Sequence, residues 1–182
     1  MSEYRVLPIE ESALAELRVV DDAGRACVPY TAGDEAAGSP LRCCLRPVRT
    51  GDRIALVAYA PLRRWAARSG AEPGAYDEQG PVFVHAERCG GYVPGPGYPF
   101  DRAGALRTLR RYDARGRIAG GRLLEVPAGA TAAFDAALDE AFADPAVTLV
   151  HVRAVEYGCF QFEVRRPEST PGTAGSVAGG GL

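Results

Sequence analysis

Apolar and polar residues alternate most regularly in the last third of the chain. Residues 147–166 contain two alternating runs joined near Tyr157, which is the pattern of a β-hairpin. In the second run, Phe160 and Phe162 belong to the apolar face. If the apolar faces of the two strands pair in register, three chemically active side chains share the opposite face: His151, Arg153 and Cys159. This hairpin therefore concentrates an imidazole, a fixed positive charge and a thiol.

The same alternation predicts further strands earlier in the chain. Leu41–Val48 and Arg53–Tyr59 flank a turn and form one hairpin, in which Arg53–Tyr59 reads as the central strand of a sheet. Ala105–Tyr112 and Ile118–Val126 form another hairpin around a tight turn. Two short segments complete the predicted strands: Tyr4–Pro8 and Pro81–Ala86.

Apolar residues at helical spacing predict two helices. Ile9–Val20 is short and amphipathic, and Thr131–Ala143 is the clearest helix, with Thr131 as its N-cap. The stretch from 61 to 80 is ambiguous, because glycine and proline interrupt its helical pattern. Together these elements indicate an α+β fold, a mainly antiparallel sheet of about six or seven strands with two or three helices packed on it. We predict a single domain over residues 1–166 and a disordered tail over residues 167–182, which are rich in Pro, Ala and Gly.

The composition is that of a soluble globular protein, and it excludes some chemistry. The 182 residues include no lysine, so Schiff-base and phosphate-loop lysines are ruled out. A formal net charge of -2 gives no reason to expect a nucleic-acid partner. No apolar run approaches the roughly 18–20 residues of a membrane span, and the N-terminus lacks the pattern of a signal peptide. We therefore predict a cytoplasmic protein without membrane or nucleic-acid partners.

The five cysteines are expected to be reduced thiols that mostly pack as small hydrophobes. Cys43 and Cys44 are neighbours in a predicted strand, so they should point to opposite faces and should not share a metal. We predict no cofactor, and one alternative stays open. In that alternative, a zinc ion is held by two histidines and two cysteines: His85, Cys89, His151 and Cys159.

Five segments carry a resemblance to a known family. They are PLRCCL at 40–45, GPVFVH at 80–85, LRRYDARGRI at 109–118, FADPAV at 142–147 and VHVRAVEYGCF at 150–160. In this order they resemble the bacterial domain-of-unknown-function family 1203, over about the whole stretch from Tyr4 to Arg166. The resemblance implies a compact bacterial domain and no particular reaction.

The side chains of the last hairpin predict a pocket for a small anionic molecule. The candidate ligand-binding residues are His85, Arg107, Arg153 and Tyr157. Whether the protein is an enzyme stays open; if it is, Cys159 is the candidate nucleophile and His151 the candidate general base. A non-catalytic protein that forms a homodimer through the hairpin is a further alternative. In the simplest alternative, the polar face is solvated and Arg153 pairs with Glu163 across the strands.

Overall fold

The computed structural model describes residues 4–167 of the chain. Within them, eight strands and three α-helices alternate, which confirms the predicted α+β fold. The strands are β1 (Arg5–Leu7), β2 (Tyr30–Thr31), β3 (Arg53–Tyr59), β4 (Gly80–His85), β5 (Leu106–Asp113), β6 (Ile118–Glu125), β7 (Val147–Ala154) and β8 (Phe160–Arg165). The helices are α1 (Glu11–Leu17), α2 (Pro61–Ser69) and α3 (Ala130–Ala143). The predicted disordered tail, from residue 168 onward, lies outside the described residues.

The strands form two antiparallel sheets. The larger sheet has the order β1-β8-β7-β5-β6, and the smaller has the order β2-β3-β4. Strand β3 lies at the centre of the smaller sheet, as its nearly continuous apolar run predicts. The predicted hairpins β5–β6 and β7–β8 are both present.

Both faces of the larger sheet are covered, which decides the environment of the last hairpin. Its first face packs on α3 through an apolar cluster that includes Phe134, Leu138, Val150, Val152, Phe162 and Val164. Its second face meets α2 through Tyr112, Leu149 and Trp65. On that second face, Phe160 joins the apolar cluster of the smaller sheet and lies 5.5 Å from the ring of Tyr59. On the polar face predicted for the hairpin, His151 is therefore interior, whereas Arg153 and Cys159 are half-buried.

The stretch that the sequence left ambiguous forms α2 and a short 3-10 helix. Helix α2 begins at Pro61, whose fixed φ and missing N–H suit the first helical position. It ends at Gly70, which has a φ of 73° and so adopts the left-handed conformation that glycine tolerates best. A 3-10 helix follows at Gly74–Tyr76. Among the described residues, no helix is long and apolar enough to cross a membrane.

Three local predictions are wrong. Residues 41–48 form a compact turn with isolated bridges and not a strand, so the hairpin predicted with β3 is absent from the described residues. Helix α3 begins after Gly129 at a φ of 79°, and Thr131 lies inside its first turn and is not the N-cap. A register shift between Val152 and Arg153 leaves Gln161 without a partner on β7, and Phe160 consequently changes to the face that carries His151.

Candidate metal centre

Four potential metal ligands converge beside the smaller sheet. The ligand atoms of Cys43, Cys44, His85 and Cys89 all lie within 4.8 Å of one another. They come from the turn that precedes β3, from the last residue of β4 and from the loop after it. Both cysteines of the turn are buried, and His85 and Cys89 are half-buried. The cluster thus gathers three thiols and one imidazole from segments that are distant in sequence.

The turn explains how two adjacent cysteines reach the same place. The N–H of Leu45 donates to the carbonyl of Leu41 at 2.9 Å, and the N–H of Leu41 donates to the carbonyl of Arg46 at 2.9 Å. Leu45 closes the turn with a φ of 54°, a conformation that is strained for a residue with a side chain. In such a turn, successive side chains no longer alternate between opposite faces. The expectation that Cys43 and Cys44 cannot share a metal is therefore wrong.

Backbone hydrogen bonds fix the turn against its neighbours. The N–H of Arg42 donates to the carbonyl of Phe83 on β4 at 2.9 Å, and the N–H of Ile9 donates to the carbonyl of Arg42 at 2.9 Å. The Arg42 side chain is buried and donates through Nε to the carbonyl of Phe160 at 2.8 Å. Burial lowers the pKa of this guanidinium to about 10. The cysteine turn is thus attached to β4, to the segment before α1 and to β8.

His85 is held by both its backbone and its ring. Its backbone N–H donates to Sγ of Cys43 at 3.2 Å, and its carbonyl accepts a hydrogen bond from Nε of Arg18 at 3.1 Å. Its Nδ1 lies 3.3 Å from Sγ of Cys43 and 3.8 Å from Sγ of Cys44. On the other side of the ring, Nε2 lies 3.9 Å from Oδ2 of Asp52. A carboxylate behind the imidazole is the usual outer partner of a metal-bound histidine.

These distances match a tetrahedral thiolate–imidazole site. With Zn–S near 2.3 Å and Zn–N near 2.05 Å, a nitrogen and a sulfur on the same zinc ion lie about 3.6 Å apart. The two distances from His85 Nδ1, 3.3 Å and 3.8 Å, fall on either side of that value. His85 and the two cysteines of the turn therefore fit a shared zinc ion, and Cys89 lies close enough to be the fourth ligand.

The thiols of the turn differ in their proton affinity. A hydrogen bond from Cys43, together with one from Arg46, lowers the pKa of Cys44 to about 5. The same bond to Cys44, together with burial, raises the pKa of Cys43. Contact with the Cys44 thiolate in turn raises the pKa of the Arg46 guanidinium. These shifts favour the thiolate form of Cys44 beside the Arg46 guanidinium, and a bound metal would displace the proton of Cys43 as well.

A cavity of about 470 Å³ opens beside the cluster. One wall is formed by Cys44, Leu45 and Arg46 of the cysteine turn. The other wall is formed by the loop 90–101, which follows Cys89 directly. The ligand Cys44 therefore belongs both to the cluster and to the wall of the cavity.

Apart from His85, the residues of the predicted hairpin pocket are located elsewhere. His151 is fully buried, and its Nε2 lies 3.4 Å from Oε2 of Glu163. Burial lowers the pKa of His151, although the hydrogen bond with Glu163 opposes that change. The rings of Tyr112 and Phe160 enclose the imidazole at centroid distances of 4.8 and 5.1 Å. His151 thus lies on the covered face of the larger sheet, away from solvent.

Cys159, Arg153 and Tyr157 lie at the outer end of the same hairpin. Sγ of Cys159 donates to the carbonyl of Tyr157 at 3.4 Å, and Nε of Arg153 donates to the carbonyl of Gly158 at 3.0 Å. The Tyr157 side chain is exposed. Within residues 4–167, no hydrogen bond joins Cys159 to either histidine. The catalytic roles assigned to Cys159 and His151 remain predictions.

Two further predicted contacts have other partners. Glu163 pairs with His151 and with Arg165 at 2.5 Å, and the expected pair of Glu163 with Arg153 is not formed among the described residues. Arg107 is buried and donates to the carbonyls of Phe100 at 2.7 Å and Leu106 at 2.8 Å. It therefore holds the far end of the loop 90–101, and its proposed contact with an anion stays a prediction.

The sequence identifies half of this cluster of potential ligands. It groups His85 and Cys89 as candidate zinc ligands, and the structure brings Cys43 and Cys44 to them in place of His151 and Cys159. The missing signal was the geometry of the segment 41–46, which an apolar pattern cannot distinguish from a strand. The two adjacent cysteines are evident in the sequence, and only the assumption of a strand excludes them from a shared metal site.

Comparisons with known proteins assign the chain to a family. No curated protein and no solved structure matches the chain. A family model matches residues 38–166, a range that contains all four residues of the cluster. The chain therefore belongs to the family described as protein of unknown function (DUF1203).

Proposed function

We propose that this protein is a zinc-binding protein in which Cys43, Cys44, His85 and Cys89 hold one ion. The observation that carries the proposal is the convergence of three thiols and one imidazole within 4.8 Å. Soft thiolates together with imidazole favour zinc, whereas magnesium and calcium prefer oxygen ligands. Four protein ligands leave no position for a substrate, so the ion is structural.

The ion would join three segments that already meet through backbone hydrogen bonds and a shared apolar cluster. It would connect the cysteine turn, the end of β4 and the loop that begins after Cys89. Three thiolates and one divalent cation carry a net charge of about minus one, and Arg46 supplies a compensating positive charge at Cys44. The function supported by this arrangement is therefore structural: a bound metal would hold the loop 90–101 against the rest of the fold.

Metal analysis of the purified protein tests this proposal. We expect about one zinc per chain after expression in zinc-supplemented medium, and an X-ray absorption edge showing sulfur and nitrogen neighbours. Cys89→Ser should lose most of that zinc. Cys27→Ser is the matched control, because Cys27 is also half-buried but is not one of the clustered residues. Equal zinc content in the two variants, or no zinc in the native protein after reconstitution, would overturn the proposal.

Ion pairs around Glu78 favour a second candidate function, the binding of an anion at the last hairpin. NH1 of Arg110 donates to both carboxylate oxygens of Glu78 at 2.9 and 2.8 Å, and NH2 of Arg153 lies 3.3 Å from Oε2. The carboxylate of a ligand could take the place of the Glu78 side chain, which is about half exposed. Calorimetry with acetate should then give tighter binding to Glu78→Gln than to the native protein, and none to Glu78→Gln/Arg153→Gln. Equal affinities in all three proteins would contradict this function.

A further inference from the structure

The cavity beside the cysteine cluster has a strained backbone at two positions. In the described chain, the two non-glycine residues with a positive φ are Leu45 at 54° and Phe100 at 59°. Leu45 lines the cavity, and Phe100 lies between the lining residues Pro99 and Asp101. Backbone strain persists only where surrounding contacts enforce it, and it concentrates at binding sites.

Both ends of the cavity loop are fixed from outside. At its start, Cys89 belongs to the metal cluster and precedes the first lining residue of the loop, Gly90. At its end, the buried Arg107 donates to the carbonyl of Phe100 at 2.7 Å. Ligand pockets of this volume, about 470 Å³, accommodate small organic molecules when their walls are held in advance.

The charges that line the cavity are of opposite sign. Arg46 contributes a guanidinium at the wall formed by the cysteine turn. Asp101, in the loop 90–101, contributes a half-buried carboxylate, and within residues 4–167 it makes no hydrogen bond or ion pair. A Cβ at Gly97 would lie 2.9 Å from Oδ2 of Asp101, so the glycine leaves the space that this carboxylate occupies. The remaining wall is mainly apolar and consists of Leu45, Tyr92, Val93, Pro96, Tyr98 and Pro99.

We infer that this cavity binds a small zwitterion with an apolar body, such as an α-amino acid, with its carboxylate on Arg46 and its ammonium group on Asp101. An arginine fork suits a carboxylate, and an unpaired half-buried carboxylate suits an ammonium group. The apolar wall then covers the side chain of the ligand. The inference rests on the proposed zinc site only in that the ion would fix Cys44 and Cys89, which hold the two walls.

Isothermal titration of the zinc-loaded protein with three related probes tests the inference. L-phenylalanine carries both charges, 3-phenylpropanoate lacks the ammonium group, and 2-phenylethylamine lacks the carboxylate. We expect L-phenylalanine to bind about tenfold or more tightly than either analogue, because each analogue leaves one charged group of the cavity unpaired. No saturable binding of L-phenylalanine up to about 10 mM, or equal binding of all three probes, would overturn the inference.

Two variants locate the charges. Asp101→Asn should weaken L-phenylalanine about tenfold without weakening 3-phenylpropanoate, and Arg46→Gln should weaken L-phenylalanine without weakening 2-phenylethylamine. The matched controls are Glu87→Gln and Arg49→Gln, which remove exposed charges that do not line the cavity. A control variant that weakens L-phenylalanine as much as Asp101→Asn would overturn the assignment.

Zinc content measured on every sample separates this inference from the proposed function. A protein that contains zinc but binds none of the probes refutes the ligand and leaves the metal site standing. A protein that binds L-phenylalanine with these charge requirements but contains no zinc refutes the metal site alone.

Discussion

The carboxylate behind His85 offers the sharpest test of the metal centre. Asp52→Asn removes the negative charge that lies 3.9 Å from Nε2 of His85. The asparagine retains an oxygen for the hydrogen bond that Asp52 accepts from the backbone N–H of Arg49 at 2.8 Å. The turn before β3 should therefore survive the substitution, and the change is confined to the charge facing the imidazole.

The expected loss of zinc affinity follows from the distance between Asp52 and His85 and from the exposure of the Asp52 side chain. Two unit charges 3.9 Å apart interact by about 4 kcal/mol at an effective dielectric constant of ~20. The Nε2–H of a metal-bound imidazole carries only part of a charge, and the Asp52 side chain is 28% exposed, so we reduce this to about 1–2 kcal/mol. That corresponds to a loss of zinc affinity of about five- to thirtyfold, comparable with the usual effect of removing an outer partner.

Competition with a fluorescent zinc chelator measures the affinities directly. The control is Asp34→Asn, the same chemical change in a carboxylate that accepts a hydrogen bond from Thr50 at 2.8 Å and has no contact with His85. We expect native affinity in the control and reduced affinity in Asp52→Asn. Equal zinc affinities in the native protein and in Asp52→Asn would refute the idea that Asp52 supports His85 as a ligand.

Two further predictions concern the interior of the fold. The free energy of unfolding should fall by up to about 1.4 kcal/mol per pH unit as the pH drops below about 6.5, because burial lowers the pKa of His151 and the unfolded chain therefore takes up its proton first. Glu163, whose pKa is lowered by His151 in spite of burial, should add to the loss below about pH 4.5. Urea unfolding at several pH values measures this slope; His151→Gln should flatten it above pH ~5, and an unchanged slope in that variant would argue against His151 as its source. Phe162→Ala should cost about 3–5 kcal/mol of unfolding free energy, because this fully buried ring fills the cluster under α3. Leu123→Ala, at a side chain that is 63% exposed, should change it by less than about 0.5 kcal/mol, and a similar loss in both variants would contradict the assignment of the core.

The elements predicted correctly are those whose periodicity is long enough to exclude other structures. The alternation of β7 and β8 and the helical spacing of α3 each extend over enough residues to identify the element type. The antiparallel pairing of β5 with β6 follows from the tight turn between them. These local signals were sufficient for the fold class.

The predictions that failed depend on contacts between distant segments. Residues 41–46 are too short for their pattern to identify them, and their bonds to Phe83 and to the segment before α1 fix the position of the turn. The bulge at Gln161 has no sequence signature, yet it moves Phe160 to the other face of the sheet. The candidate site depends both on residues that are close in sequence and on contacts between distant segments. His85 and Cys89 are close in sequence, whereas the contribution of Cys43 and Cys44 requires the tertiary position of the turn.

Arg42 links the cysteine turn to three other segments of the fold. Its N–H, its carbonyl and its Nε bond to β4, to the segment before α1 and to β8, respectively. Local opening of the turn would break all three bonds at once and expose a buried guanidinium. The turn and the start of β8 should therefore open as one cooperative unit, and hydrogen exchange should give their amide groups a common free energy of opening.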